Sequence, residues 1–142
     1  MAAIIDIATV RSALEAISAG QGFNAWLNLQ ITAIESGSIT IETGLRDDMK
    51  QHHGSIHGGV LGALADTAAS WAAATVAGDV RTASYAIHFL RQASGARLRA
   101  LGTVLKAGRR QVTVEGKVYA GDRGSWGEPV VVALASIAPV AS

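Results

Sequence analysis

Two adjacent glycines, Gly58 and Gly59, precede a long Ala-rich apolar segment and could take part in acyl-transfer chemistry. Glycine lets the backbone approach a ligand closely, and the unpaired amides of a first helical turn attract an anion. If Gly58 lies in that turn, its amide can stabilise the oxyanion of a tetrahedral intermediate, an interaction usually worth ~3 kcal/mol per donor. The same glycines would also suit a tight turn without a chemical role, so the motif alone leaves both interpretations open.

A single carboxylate, Asp66, stands near the middle of the apolar segment 60–77. Charged side chains are rarely buried without a partner or a function. Its neighbours leave no obviously polar stripe, which favours a functional carboxylate over one that merely faces solvent; these neighbours are Leu61, Leu64, Ala65, Ala68, Ala69 and Trp71. Ser70 follows one helical turn later on the same face, where its hydroxyl could hold a water that Asp66 activates.

The spacing of Gly58 and Asp66 limits how they can cooperate. Eight residues of helix separate the two by ~12 Å along the axis, too far for both to act on one carbonyl group. In a two-fold dimer, antiparallel copies of the segment would bring Gly58 of one chain near Asp66 of the other. The composition, with 49% hydrophobic and 16% charged residues, also favours an oligomer.

Other kinds of site have weaker support. His53 and His57, four residues apart, could be read as metal ligands, but the chain has no Cys and no matching carboxylate pair. We therefore expect no metal or redox cofactor. Residues 81–142 carry nine basic and three acidic residues, spread out rather than clustered. That distribution suits a few phosphates on a small ligand better than a nucleic acid, although ordinary charge at strand edges and turns would explain it as well.

The elements that would position these residues follow from periodicity. Residues 6–19 predict a short amphipathic helix with Ser12 and Glu15 as a capping box, and from residue 27 to residue 45 the pattern predicts a hairpin turning at residues 36–37. The apolar segment 60–77 predicts a buried helix rather than a membrane span, because four polar residues interrupt it. Four β-rich runs follow, at residues 81–90, 97–107, 109–120 and 128–137, spaced as an antiparallel meander. We predict one α+β domain over residues 1–142, with a curved six-stranded antiparallel sheet around the long helix.

The chain resembles the PaaI-like branch of the hotdog-fold acyl-CoA thioesterases. The matching residues are Gln51, Gly54, His57-Gly58-Gly59, Leu64-Ala65-Asp66, Thr82-Ala83-Ser84 and Gly108-Arg109, and the resemblance runs from the first strand to the last. It implies the hotdog fold and hydrolysis of an acyl-CoA by a homodimer or a dimer of dimers. Because no basic, apolar leader opens the sequence, we expect a cytoplasmic protein.

The resemblance also implies roles for single residues. Asp66 would act as general base or nucleophile, and Gly58 would give its amide to the oxyanion. Gln51 would orient the thioester, in a position where many relatives carry Asn, while His57 would hold either the loop or the thioester. Ser70 and Ser84 would hold the attacking water. Contacts to the coenzyme A part of the substrate are implied for Gly59, Arg91, Lys106, Arg109 and Arg110.

Two other functions fit the same resemblance. A non-catalytic hotdog module would bind acyl-CoA without releasing thiol. A hotdog dehydratase or hydratase would want a catalytic His with a Pro-Gly turn before the long helix, whereas the only prolines here are Pro129 and Pro139. The acyl group, whether aryl or a short or medium aliphatic chain, is not determined by the sequence.

Overall fold

A computed structural model describes residues 4–20, 22–122 and 124–140 of the chain. Its helices are α1 (Ile7–Ala19), α2 (Phe23–Leu27) and α3 (Gly58–Ala77), with one 3-10 turn at Asp47–Met49. Its strands are β1 (Gln30–Glu35), β2 (Ser38–Gly44), β3 (Val80–Phe89), β4 (Arg97–Ala107), β5 (Val112–Gly121) and β6 (Val131–Pro139).

The six strands form one antiparallel sheet in the order β1-β2-β4-β5-β6-β3. The predicted sheet around one long helix is therefore confirmed. The expected four-strand meander is correct only for β4, β5 and β6. Strand β3 does not pair with β4, its successor in the chain, but lies beyond β6 at one end of the sheet. Alternation of apolar and polar residues identifies each strand from its local sequence. The order of the strands depends instead on contacts between residues far apart in the chain.

Helix α3 lies in the concave side of the sheet, and glycines allow the close approach. A methyl group on Gly102 of β4 would lie 2.1 Å from the carbonyl oxygen of Ala68, and one on Gly116 of β5 would lie 3.1 Å from that of Ala65. Any larger residue at Gly102 would push the helix away from the sheet, whereas one at Gly116 would need the helix backbone to give by only a few tenths of an ångström. By length and hydropathy α3 could cross a membrane, but 67% of its apolar 18-residue stretch is buried inside the protein. It is the core helix, as the sequence predicted.

The N-terminal region differs from the sequence expectation in two details. Helix α1 is capped by Asp6, whose side chain accepts a hydrogen bond from the Thr9 amide, and not by Ser12. The helix therefore begins six residues earlier than a cap at Ser12 would require. Helix α2 ends at residue 27, so β1 begins at Gln30 and not at residue 27 as predicted, while the turn at residues 36–37 and the second strand of the predicted hairpin are confirmed.

Candidate active site

The N-terminus of α3 has one backbone amide free of partners. His57 is the N-cap, and its Nδ1 accepts a hydrogen bond of 2.8 Å from the Gly59 amide, while the amides of Val60 and Leu61 bond to the His57 carbonyl. Among the described residues nothing accepts from the Gly58 amide. Because an amide in the first helical turn points along the helix axis toward the exterior, Gly58 is available to an anion and Gly59 is not.

This geometry separates two roles that the resemblance left together for His57. Its Nδ1 is an acceptor and carries no proton, so the imidazole holds the loop at the start of α3 through the Gly59 amide. A methyl group on Gly59 would lie 2.9 Å from that nitrogen. A side chain at Gly59 would therefore displace the imidazole from this cap, and the predicted contact of Gly59 to coenzyme A stays a prediction.

Gln51 organises the loop before α3. Its Nε2 donates to the Ser55 hydroxyl at 2.8 Å, and its Oε1 accepts from the His53 amide at 3.2 Å. Its backbone amide also donates to the Ser55 carbonyl. One of the two Nε2 protons remains for a thioester oxygen, so the expected orienting role is sterically open and stays a prediction.

Asp66 lies half-buried on α3 and accepts one strong hydrogen bond. The Thr82 hydroxyl of β3 donates to its Oδ1 at 2.6 Å. No other described side chain bonds to this carboxylate and no basic residue pairs with it. One oxygen is therefore fixed in direction while Oδ2 is left able to take a proton or to attack a carbon atom.

A β-bulge explains why the neighbour of Asp66 is Thr82 rather than Ser84. The register against β6 shifts between Thr82 and Ser84, because Ala83 has no partner of its own. Thr82 and Tyr85 pair with residues on the buried face of β6, whereas Ser84 pairs with Ser136 on the outer face. Ser84 is exposed on the side of the sheet away from α3. The resemblance implied that Ser84 helps to hold the attacking water, but its position on the outer face does not place it there within the subunit, and the hydroxyl that contacts Asp66 is that of Thr82.

Ser70 keeps the position that the sequence predicted, one turn after Asp66 on the same half-exposed face of α3. Its hydroxyl donates to the Thr67 carbonyl at 3.2 Å, which leaves the oxygen lone pairs free to accept from a water.

Strand β3 runs along α3 in the opposite direction, and this alignment supplies residues that the sequence did not single out. Methyl groups added to two glycines of α3 locate the strand. On Gly58 the methyl would lie 3.3 Å from the Phe89 ring, and on Gly62 it would lie 3.6 Å from the Tyr85 hydroxyl. Tyr85 therefore covers the helix between Gly58 and Asp66. The alternation of residues along β3 would place Tyr85 and Phe89 on the face toward α3 only if the bulge at residue 83 were already known.

A cavity of about 370 Å³ opens beside Gly58, lined also by Phe89, Leu90 and Arg91. Arg91 is exposed, and its Nη1 donates to the Pro129 carbonyl. The other predicted phosphate-binding residues lie elsewhere. Lys106 is near the end of β4, and Arg109 and Arg110 are in the following turn, which reaches the C-terminal end of α3 through a second cavity shared with Val76 and Ala77. Twenty helical residues span ~30 Å, so one subunit does not bring these three residues to Arg91.

Across residues 4–20, 22–122 and 124–140, no group of three or more His, Asp or Glu side chains could hold a metal ion. His52 and His53 instead contact each other through their rings in the exposed loop.

Comparison with known proteins agrees with this architecture. Three solved structures illustrate the likeness. A thioesterase family protein from Silicibacter pomeroyi is 23% identical, with a TM-score of 0.84, over 94% of this chain and 96% of that one. The Escherichia coli PaaI protein from the phenylacetic acid degradation operon is 18% identical, with a TM-score of 0.82, over 96% and 98%. Zebra fish thioesterase superfamily member 2 is 17% identical, with a TM-score of 0.82, over 96% and 99%.

These likenesses establish the hotdog fold. No functionally curated protein matches the sequence. The sequence pattern of the thioesterase superfamily matches residues 53–126, just over half of the chain, and this stretch contains the free amide of Gly58, Asp66 and Thr82. The chain belongs to the thioesterase superfamily.

Proposed function

We propose that the protein is an acyl-CoA thioesterase whose active site is shared between two subunits, with Asp66 from one and the Gly58 amide from the other. The observation that carries this proposal is the carboxylate of Asp66, half-buried without a cation and oriented by Thr82. A carboxylate held in this way forms no ion pair with the described residues of its own subunit, and its second oxygen is well placed to activate water.

The free edge of β3 supports a dimer. This strand is ten residues long, contains neither Pro nor Lys, and ends the sheet, so one row of its backbone groups has no partner among the described residues. Tyr85 and Phe89 are 42% and 53% exposed on it. Proteins usually protect such an edge. The opposite edge is protected, because α1 packs beside β1 and Arg11 bonds to the Ile31 carbonyl.

Pairing of two β3 strands about a two-fold axis at their middle would complete the site. Antiparallel pairing sets Thr82 of one strand opposite the region of Phe89 in the other. Thr82 lies on Asp66 and Phe89 lies on Gly58, so the Gly58 amide of the partner would approach Asp66. This removes the ~12 Å separation that keeps the two groups apart within one helix. The dimer alone, or two such dimers together, would then give the homodimer or dimer of dimers that the resemblance implies.

Hydrolysis would then need only three groups of the protein: Asp66, Ser70 and the Gly58 amide of the partner. Asp66 takes a proton from a water held by Ser70, and the water oxygen bonds to the thioester carbon. The charge that develops on the carbonyl oxygen is held by the Gly58 amide of the partner. The C–S bond breaks, and the thiolate takes the proton, which gives the free acid and coenzyme A. Direct attack by Asp66, followed by hydrolysis of the resulting anhydride, uses the same groups.

The cavity beside Gly58 suits the coenzyme A part of the substrate. Arg91 lies at its rim, where a guanidinium group can bind the diphosphate. Lys106, Arg109 and Arg110 remain candidates for the 3'-phosphate, because the end of α3 that they flank would face the partner's loop in the dimer.

The test compares Asp66→Asn with Asp47→Asn, since the Asp47 side chain is 98% exposed and forms a surface ion pair with Lys50. Release of thiol from acyl-CoA esters should fall by at least ~10²-fold in the first variant and remain in the second. Both should keep the oligomeric state of the wild type. Binding of acyl-CoA without thiol release by the wild type would instead identify a non-catalytic acyl-CoA-binding module.

A further inference from the structure

A third cavity, which is mostly apolar, lies between α1 and α3. It has a volume of about 350 Å³, and its apolar walls come from both helices: Val10, Ala13, Leu14 and Ile17 of α1, with Trp71 and Ala74 of α3. The floor at the far end is formed by Gly78, Asp79 and Val80. Nothing in the proposed catalytic chemistry uses this space.

The cavity adjoins the proposed reaction centre through Ser70, which lines it. Asp66, Ser70 and Ala74 follow one another at intervals of one turn on the same face of α3. A group attached to a carbonyl beside Asp66 therefore meets Ser70 first and the apolar walls next. From Ser70 to Gly78 the cavity extends ~12 Å along the helix.

We propose that this cavity binds the acyl group and that it selects medium-length, uncharged aliphatic chains; the proposal rests on the thioesterase function above. Cavity size argues against a single aromatic ring as the fitting occupant, because a cavity of ~150 Å³ already accommodates benzene. Charge argues against a dicarboxylic acyl group. Among the described residues that line the cavity none is basic, and the single charged one, Asp79, would repel a second carboxylate.

Ala13 offers a test, because it lines the cavity from α1 while its own position is exposed and tolerates a larger side chain. Ala13→Leu would occupy space along the path of the chain. Ala16→Leu makes the same change on the same helix at an exposed residue that does not line the cavity. One extra methylene in an apolar pocket changes discrimination by ~10-fold or more, and this sets the expected scale.

The experiment measures kcat/KM for acetyl-, octanoyl-, benzoyl- and succinyl-CoA with the wild type and both variants. The wild type should prefer octanoyl-CoA. In Ala13→Leu the ratio of octanoyl to acetyl activity should fall by at least ~10-fold, and in Ala16→Leu it should stay at the wild-type value. A wild-type preference for any of the other three esters, or an equal effect of both variants, would overturn the proposal.

A second measurement separates this inference from the proposed function. If the wild type hydrolyses none of the esters, the proposed thioesterase function is wrong. Calorimetric binding of the non-hydrolysable thioether S-octyl-CoA then tests whether the cavity binds the acyl chain. Binding weakened ~10-fold by Ala13→Leu and unaffected by Ala16→Leu supports it. Equal binding by both variants rejects it.

Discussion

The Thr82 hydroxyl donates a 2.6 Å hydrogen bond to the Asp66 carboxylate, and it joins the edge strand of the sheet to the central helix. Bulge geometry at residue 83 makes this contact possible, since it turns Thr82 toward α3 while the next hydroxyl, Ser84, faces outward. The bond fixes one carboxylate oxygen, and thereby the direction of the other.

Replacing Thr82 should therefore impair catalysis without unfolding the protein. Thr82→Val keeps the shape of the side chain and removes a hydrogen bond to a charged group, an interaction worth about 1.5–3 kcal/mol. We expect kcat/KM for thioester hydrolysis to fall by roughly tenfold or more. Ser84→Ala, two residues away on the outer face, should stay within a factor of two or so of the wild type. Equal losses in the two variants would show that Thr82 has no special role.

The amide of Gly58 can be removed without removing the helix. Gly58 is the first residue of α3, where proline is tolerated, and His57 has the extended conformation, with ψ of 132°, that a residue before proline prefers. Gly58→Pro should keep the fold and lower kcat by ~10²–10³-fold, the effect of losing one oxyanion donor.

Gly58→Ala provides the control for this substitution, because it retains the amide and places a methyl group at the same 3.3 Å from the Phe89 ring. Activity in Gly58→Ala well above that in Gly58→Pro supports the oxyanion role. Equal activity of the two variants would assign any loss to the contact with Phe89.

Charges on β3 should disrupt the dimer and the active site together. Ser84→Lys combined with Ala86→Lys places four like charges around the proposed two-fold axis, in exposed positions that do not face α3. Sedimentation equilibrium should show smaller species, and thioester hydrolysis should be lost while the circular dichroism spectrum is kept. Leu105→Lys, which introduces a charge at an exposed residue of β4, is the control. An active monomer would refute the shared site.

Acid should loosen α1 before it affects the core. Hydrogen bonds from the Thr9 hydroxyl and amide lower the pKa of Asp6 below its usual value. A carboxyl group whose pKa is lower in the folded state than in the unfolded state stabilises the fold at pH values above the unfolded-state pKa. This stabilisation is lost as the pH falls through the folded-state pKa. The protection factors of the α1 amides, which correct the exchange rates for the pH dependence of intrinsic exchange, should therefore decrease below about pH 4. In Asp6→Ala the amides should exchange faster at neutral pH, with no further acid-dependent step from this residue.

The sequence by itself determined the elements with strong local signals. An apolar helix over residues 60–77, a hairpin turning at residues 36–37, and strands separated by turn residues follow from periodicity and backbone preference. The same reasoning placed Gly58 at a helix start and Asp66 on that helix. Their distance along one helix also followed, because helical rise is a constant.

Only the tertiary structure decided which side chains meet. The bulge at residue 83 reverses the facing of every later residue of β3, and no alternation pattern reveals an unpaired residue before the partner strand is known. The order of strands placed β3 at an edge and separated Arg91 from Lys106, Arg109 and Arg110. The apolar cavity beside Ser70 exists because α1 packs across α3. Such contacts join residues far apart in the chain, so they depend on packing of the whole domain rather than on any local preference.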